Sequence, residues 1–207
     1  MYLNNGLSRC YSLYGDQDEV NTYHIGVLHT NNSRGGSKWI HENFDENDLI
    51  SISPPVQAFS LREEAKNSIL IAGGIGITPI LSMCQRLRKL DKPFHSYYVT
   101  RNSKSTAFKS FLKKSGLNSH VTNIHDEGNP QNGLKIDDII PKFSSENHIY
   151  VCGPPGLINA VRTHCKDWPE EHVHFELFEG PDINETSTSN SSFEIILEDT
   201  GITLDVP

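Results

Sequence analysis

The order of apolar and polar residues divides the chain into two parts. From residue 64 onward, short apolar runs typical of buried strands alternate with stretches whose apolar residues recur at helical spacing. Strands are predicted at 68–72, 96–100, 121–125, 148–152 and 173–178, and helices at 79–90, 106–114 and 156–166, with a shorter turn near 135–140. This alternation predicts an α/β fold, in which helices cover both faces of a parallel sheet.

The first 63 residues have a different pattern. Residues 22–28 and 49–53 alternate apolar with polar side chains, as half-buried strands do. Between them, the glycine-containing segment 33–37 leads into a short apolar-periodic stretch at 38–44, predicted to be a helix. The sequence thus predicts antiparallel β-structure before the α/β part.

The end of the chain changes character again. Residues 181–192 are rich in Ser, Thr and Asn without an apolar run, which predicts a linker. Two short β-like runs follow within 193–207, and they predict a hairpin. Because an isolated hairpin is marginally stable in water, we expect it to open a further domain.

Three glycines follow the predicted strand 68–72, namely Gly73, Gly74 and Gly76. Thr78 is predicted to cap a helix that begins at Pro79. A strand, a glycine turn and a helix start let the backbone approach a pyrophosphate, so the segment predicts a dinucleotide site. The alternative is a tight turn without a ligand, since the G-x-G-x-x-G spacing ends on Pro79 in place of the third glycine.

Two further turns have candidate chemistry. Arg34, Gly35, Gly36 and Ser37 precede the short helix and form a second candidate phosphate site, with a solvent-exposed glycine loop as the alternative. The turn 152–156 follows another predicted strand. In parallel sheets, ligands bind at the carboxyl ends of the strands, where this turn and the first glycine turn both belong.

The composition and charge argue against several classes of function. The formal net charge is −8, which argues against a nucleic-acid partner. No apolar run approaches a membrane span, so no membrane association is predicted. The four cysteines are widely spaced without a C-x2-C pair, which predicts free thiols in the cytoplasm and no metal site. His172 and His174 are interpreted as solvated imidazoles, because a third ligand at suitable spacing is not evident.

Five motifs occur in a particular order: Arg9-Cys10-Tyr11-Ser12-Leu13, Arg34-Gly35-Gly36-Ser37, Gly73-Gly74-Ile75-Gly76-Ile77-Thr78-Pro79, Tyr150-Val151-Cys152-Gly153-Pro154 and His174-Phe175-Glu176-Leu177-Phe178. The set resembles the phthalate dioxygenase reductase and vanillate demethylase reductase family of the ferredoxin-reductase superfamily. The resemblance implies a flavin barrel, an NADH domain and a C-terminal [2Fe–2S] domain. It also implies electron flow from NADH through FMN and the cluster to a terminal oxygenase.

The chain departs from that family at both ends. Only eight residues precede Arg9, and cluster cysteines are lacking after the predicted hairpin. We therefore expect a partial flavin barrel at 1–63, an NAD-binding domain at 64–180, a linker at 181–192 and the first hairpin of a ferredoxin domain at 193–207. The [2Fe–2S] cluster is expected only in a longer, full-length protein.

The resemblance also implies site residues. Flavin contacts would come from Arg9, Tyr11, Ser12, Leu13, Arg34, Gly35, Gly36 and Ser37. Nucleotide contacts would come from Gly73, Gly74, Gly76, Thr78, Pro79 and Arg101. Cys152, with Gly153 and Pro154, would lie where the nicotinamide approaches the flavin, and Glu176 and Phe178 would close over the flavin face. Ser12, Cys152 and Phe178 are the candidate catalytic residues.

Two alternatives stay open at this point. The first is a degenerate nucleotide-binding module without redox activity, because the front of the barrel is short. The second is a free flavin reductase that uses FMN as a substrate. The choice of NADH over NADPH follows from the resemblance alone, since no acidic residue directly follows the predicted strand 96–100.

Overall fold

The computed structural model describes residues 1–16, 18–30 and 33–178, together with the backbone of 193–197 and 202–206. The N-terminal part contains strand β1 (Leu13–Tyr14), strand β2 (His24–Ile25) and helix α1 (Gly36–Asn43). The two strands pair antiparallel, which confirms a short antiparallel sheet ahead of the α/β part. The predicted strand at 49–53 is wrong, because only Ser51 forms an isolated bridge, with Tyr2, and Leu49 is 95% exposed.

The second part alternates strands and helices as predicted. Its elements are β3 (Asn67–Gly73), α2 (Ile77–Lys89), β4 (Phe94–Thr100), α3 (Lys109–Lys114), β5 (Val121–His125), α4 (Ile136–Ile139), β6 (Asn147–Cys152), α5 (Pro155–His164) and β7 (Val173–Glu176). All neighbouring strands are parallel, in the order β5-β4-β3-β6-β7. The strand order therefore changes direction between β3 and β6.

The central strands read as continuous apolar runs because helices cover both sheet faces. On β3, Leu70 and Ala72 belong to a buried cluster that includes side chains of α2 and α3. Ile69 and Ile71 point to the other face, where α4 and α5 contribute to a second cluster. The apolar core therefore lies on both faces of the sheet at β3. The carboxyl ends of the strands are not covered by these helices and are bordered by loops.

Helix boundaries differ from the predictions where local hydrogen bonds compete. Helix α2 begins at Ile77, so Thr78 is not its N-cap; the buried Thr78 hydroxyl donates to the Ile75 carbonyl at 3.2 Å. Helix α3 begins three residues later than predicted, because the 3₁₀ turn Ser103–Ser105 precedes it. Both differences lie at the start of a helix, where sequence signals are least specific.

Several contacts join the N-terminal part to the α/β part. The Tyr14 ring packs edge-on against Phe108, with centroids 4.8 Å apart. The Arg86 guanidinium donates to both carboxylate oxygens of Glu63, at 2.6 and 2.9 Å. The Tyr150 hydroxyl accepts a hydrogen bond from the Arg62 amide at 2.8 Å. These contacts fix the first 63 residues against α2, α3 and β6.

The predicted C-terminal hairpin is present in the backbone. Strand β8 (Phe193–Leu197) pairs antiparallel with β9 (Ile202–Val206). The predicted linker at 181–192 lies outside the described residues, and the assignment of the hairpin to a ferredoxin domain stays a prediction. Within the part of the chain that the structure describes, no helix is long and apolar enough to cross a membrane.

Candidate active site

The glycine turn after β3 lies at the change in strand order, and its glycines differ in their surroundings. A Cβ at Gly76 would lie 2.3 Å from the Cys152 carbonyl oxygen, and one at Gly73 would lie 2.6 Å from Pro154 Cδ. These two glycines therefore let the ends of β3 and β6 approach each other. Gly74 has a φ of +54°, and a Cβ there would have no heavy atom within 4 Å. Its exposed backbone leaves room that a pyrophosphate fits.

A second helix begins at the same edge. Pro154 is the N-cap of α5, Pro155 takes its first position, and a Cβ on Gly156 would again meet open space. The helix starts of α2 and α5 thus flank the carboxyl ends of β3 and β6, where free amides favour an anion. Gly156 belongs to the predicted turn 152–156, and the helix begins one residue earlier than predicted, at Pro155, as a proline at the first helical position signals. Thr78 and Pro79 are buried within α2.

The N-terminal part carries a separate candidate phosphate site at the start of α1. Gly35 has a φ of +87° and serves as the N-cap, without a side-chain cap. The Arg9 side chain crosses directly over Gly36, since a Cβ there would lie 2.6 Å from Arg9 Nε. Arg9 also donates to the Arg34 carbonyl oxygen at 2.7 Å, and the Ser37 hydroxyl donates to Ser33 Oγ at 2.9 Å. A guanidinium at a helix N-terminus suits a phosphate dianion. The Arg34 side chain itself is exposed.

One hydrogen bond joins the N-terminal part to the carboxyl end of β7. The Ser12 hydroxyl donates to Glu176 Oε2 at 3.0 Å, across 164 residues of sequence. Glu176 pairs in register with Cys152 on the neighbouring strand β6. Three sequence-predicted residues, Ser12, Cys152 and Glu176, are thereby brought to the sheet edge that carries the glycine turn.

Burial disfavours the charged forms of the side chains in this cluster. Burial, and then the nearby Glu176 carboxylate, raise the pKa of the fully buried Cys152 thiol, so the thiol is protonated at neutral pH. Burial also raises the pKa of Glu176, and the Ser12 hydrogen bond partly offsets this. Burial likewise raises the pKa of Tyr11, against the opposing charge of Arg9. Cys152 is therefore a neutral thiol and not a thiolate nucleophile.

The remaining predicted residues are spread along the same edge. Phe178 follows β7 and is 38% exposed, so its ring is partly free. Arg101 directly follows β4 and is exposed, one strand away from the glycine turn. Leu13 opens β1, beside Ser12.

Comparisons with known proteins agree with this geometry. Residues 70–163 match the family described as oxidoreductase NAD-binding domain. The chain is 38% identical to phthalate dioxygenase reductase of Burkholderia cepacia and 34% identical to vanillate O-demethylase oxidoreductase of Acinetobacter baylyi. These alignments cover 98% and 96% of this chain and 63% of each relative. The chain belongs to the family of phthalate dioxygenase and vanillate O-demethylase reductases.

A solved structure of this family has the same fold. It is a phthalate dioxygenase reductase, described as a modular structure for electron transfer from pyridine nucleotides to [2Fe–2S]. It superposes with a TM-score of 0.82 at 38% identity, over 99% of this chain and 63% of that one. The ferredoxin-reductase-like fold is thereby confirmed. The chain spans less than two thirds of the length of these relatives.

The histidine interpretation needs a correction. His174 is not a freely solvated imidazole: it stacks on Tyr150 with centroids 4.6 Å apart, and its Nε2 lies 3.0 Å from His148 Nδ1. Burial, and then the neighbouring His148 and Arg62, lower the pKa of His174 to about 4. This imidazole is therefore neutral at physiological pH. Among the described residues, no group of three His, Cys, Asp or Glu side chains could hold a metal ion.

Proposed function

We propose that this chain binds NADH and FMN side by side and supports hydride transfer from the nicotinamide to the flavin. When bound, the dinucleotide supplies the hydride and the flavin accepts it. The observation that carries the proposal is the hydrogen bond between Ser12 and Glu176, because it brings the candidate flavin segment to the strand end beside Cys152. Membership of a reductase family supports it independently.

The residues at the glycine turn would hold the dinucleotide. The open backbone at Gly74 fits a pyrophosphate, and the start of α5 offers further amides. The exposed Arg101 would reach the adenosine end. The glycines at 73, 76 and 153 let the ends of β3 and β6 approach each other closely, because a Cβ at any of them would meet the facing segment.

The residues of the N-terminal part would hold the flavin. Arg9 and the start of α1 form a compact site for a terminal phosphate, and this supports FMN over FAD, whose phosphates are both internal. Tyr11 and Leu13 would pack against the ring system. The Ser12 hydroxyl and the protonated Cys152 thiol would orient the two rings, while Phe178 would exclude water from between them.

The proposal also covers the electron acceptor and the domains of the full-length protein. Relatives are named as reductase components, for example of phthalate dioxygenase and of a tert-butanol monooxygenase, so we propose a terminal oxygenase as partner. Electrons would reach it through a [2Fe–2S] domain of the full-length protein, which the hairpin after residue 192 would open. The boundaries 1–63, 64–180 and 181–192 remain those expected from the sequence. Unpaired cysteines support a location in the cytoplasm.

The test begins with the cofactor. The chain is produced with excess riboflavin, and the flavin released by heat is identified by chromatography. We expect FMN, and anaerobic addition of NADH should bleach the flavin absorption. Recovery of FAD would contradict the FMN assignment. A colourless protein would favour the non-redox nucleotide-binding module, and flavin that dissociates with each turnover would favour the free flavin reductase.

A Ser12→Ala variant tests whether the residue that forms the Ser12–Glu176 hydrogen bond contributes to flavin reduction. We expect normal flavin content and a slower rate of flavin reduction at saturating NADH, because the hydroxyl would orient the reacting ring. Ser60→Ala, in the exposed segment before Leu61, is the control and should leave the rate unchanged. An unaltered rate in Ser12→Ala would remove the Ser12–Glu176 contact as support for the proposal.

Comparing two electron acceptors tests whether transfer to a protein acceptor requires the proposed [2Fe–2S] domain. NADH oxidation by this chain should proceed with ferricyanide, which takes electrons directly from a reduced flavin. Cytochrome c should be reduced poorly, because the four cysteines lie too far apart in the sequence and fold to hold a cluster. Iron and sulfide are measured on the same sample. Rapid cytochrome c reduction without iron would show that the flavin passes electrons on directly.

A further inference from the structure

The turn that follows β4 has an unusual charge for this chain. The segment 92–125 contains six Lys and Arg residues and no Asp or Glu, in a chain whose formal net charge is −8. Gly73 pairs in register with Val99, so Arg101 lies at the same sheet edge as the glycine turn, one strand further out. Of these six basic residues, Arg101, Lys104 and Lys109 follow the carboxyl end of β4, whereas Lys92 precedes β4 and Lys113 and Lys114 end α3. Three cations therefore lie on the side of the site away from Cys152, where the adenosine half of a dinucleotide belongs.

The chemistry at this place distinguishes two dinucleotides. A carboxylate near the end of the second strand accepts a hydrogen bond from the ribose 2′-hydroxyl of NADH, whereas a basic side chain accommodates the 2′-phosphate of NADPH. The residues from Arg101 to Ser105 offer two cations, Arg101 and Lys104, and no carboxylate. Both cations are exposed.

Local hydrogen bonds give the turn a defined shape. Asn102 Oδ1 accepts from the Ser105 amide at 3.0 Å and from the Ser105 hydroxyl at 2.8 Å. The Thr106 hydroxyl donates to the Asn102 carbonyl at 3.1 Å. Lys109 donates to the Ser103 hydroxyl at 2.8 Å and to the Ser103 carbonyl, so a third cation lies against the turn. The basic groups thus extend from an ordered backbone.

The acidic residues that hydrogen-bond to the backbone of this turn do not neutralise it by ion pairing. Asp126 and Glu127 follow β5, and their amides donate to the carbonyls of Thr100 and Arg101 at 3.1 and 2.8 Å. Asp126 Oδ1 accepts from the Gly128 amide at 2.8 Å, which turns this carboxylate into its own loop. Across the described ranges, neither Arg101 nor Lys104 takes part in an ion pair. Both cations can therefore meet an added phosphate.

We propose that the nucleotide site accepts a 2′-phosphorylated dinucleotide, so that the chain uses NADPH in addition to NADH, with Arg101 and Lys104 binding the 2′-phosphate. This inference rests on the proposed function, since it concerns the same site. It adds a substrate that the family resemblance does not imply. A phosphate held by two charge-assisted hydrogen bonds gains affinity that a ribose hydroxyl at the same place lacks.

The test measures the binding of nucleotide fragments, so its result does not depend on whether the protein contains flavin. Affinities of the chain for 2′,5′-ADP and 5′-AMP are compared by calorimetry at low salt. We expect 2′,5′-ADP to bind about 10-fold tighter or better, as for one or two hydrogen bonds to a charged group. In Lys104→Glu and Arg101→Glu this preference should fall by roughly 10- to 100-fold. Lys142→Glu, an exposed charge reversal elsewhere, should leave the preference unchanged.

The outcomes separate this inference from the proposed function. Equal binding of the two ligands, or a preference for 5′-AMP, would overturn the inference and leave the nucleotide site intact. An unchanged preference in both reversal variants would also overturn it, because the phosphate would then bind elsewhere. If neither ligand binds, the nucleotide site itself is contradicted. Steady-state oxidation of NADPH beside NADH by flavin-loaded protein provides the second measurement, and the inference expects both to be oxidised.

Discussion

The nucleotide-binding sheet and the N-terminal part bury their apolar residues to very different extents. Twelve large apolar side chains are exposed among the described residues, and eight of them lie within the first 63: Tyr2, Val20, Tyr23, Leu28, Phe44, Leu49, Ile52 and Val56. In the same part, Leu3 and Ile40 are the only buried large aliphatic residues among those described. The sheet, in contrast, has a core on each face.

This difference shows where each half of the candidate site takes its rigidity from. The glycine turn and Cys152 lie on the buried strands β3 and β6, so packing fixes them directly. Ser12 instead contacts the sheet from a segment with little burial of its own, through Glu176 and the nearby Tyr14–Phe108 pair. Arg9 is held within the N-terminal part, by the Arg34 carbonyl. The position of Ser12 therefore depends on the sheet, whereas the glycine turn and Cys152 are fixed by the sheet's own packing.

The largest expected effect is a contrast in hydrogen exchange. Amides of β3 and β6 should exchange only through unfolding of the sheet, because their side chains are almost fully buried. Amides of the exposed segment 54–58 should exchange on the order of 1,000-fold faster or more. Exchange measured by mass spectrometry after pepsin digestion gives both values. Similar protection in the two regions would contradict the comparison.

The second prediction sets two glycine substitutions against each other. Gly76→Ala should lower the free energy of unfolding by about 3 kcal/mol, since the new methyl meets the Cys152 backbone, which cannot move away cheaply. Gly36→Ala is the matched change in the N-terminal part, where the methyl meets the flexible Arg9 side chain. It should cost less than about 1 kcal/mol but weaken flavin binding. Urea unfolding of both variants checks the order, and a larger loss for Gly36→Ala would reverse it.

The third prediction concerns ligand binding by the sheet alone. Gly74→Val should weaken NADH binding about 100-fold, because the side chain fills the open space above the turn and its φ of +54° disfavours valine. The flavin spectrum should stay unchanged. Gly6→Val is the control, with a φ of +82° and similar open space in the N-terminal part. It should leave NADH affinity as it is; unchanged affinity in Gly74→Val would place the nucleotide elsewhere.

The smallest expected effect tests the contact between the two regions. Because burial raises the pKa of Glu176, the folded protein keeps a proton that the unfolded chain has already lost. The contribution of Glu176 to the free energy of unfolding is therefore largest at low pH. It begins to fall when the pH passes the ordinary carboxyl pKa, and it is lost once the pH exceeds the raised pKa of the folded protein. Glu176→Gln should remove this fall, a change below about 1 kcal/mol at a half-exposed site. Urea unfolding across the acidic range measures it, and parallel pH profiles for both proteins would falsify this account.

Much of the sheet could be predicted, since the apolar runs of β3 and β6 are long enough to indicate buried parallel strands. Residues 49–53 show the limit of the same method: their alternation predicts a strand, yet only Ser51 forms a bridge. Alternation of apolar and polar residues indicates that one face of a segment can be buried. It does not show whether another strand lies beside the segment to pair with it. The prediction of Thr78 as an N-cap was wrong for a related reason. A hydroxyl near a helix start can also donate to a preceding carbonyl, and the Thr78 hydroxyl donates to that of Ile75.

The sequence by itself determined the α/β alternation, the glycine turn after β3 and the chemical type of each candidate residue, because these depend on local pattern and backbone geometry. The tertiary structure alone decided that Ser12 meets Glu176, that Arg9 crosses Gly36, and that Cys152 is protonated in a buried place. Contacts across 164 residues and shifts in pKa arise from packing and desolvation, which no local pattern encodes.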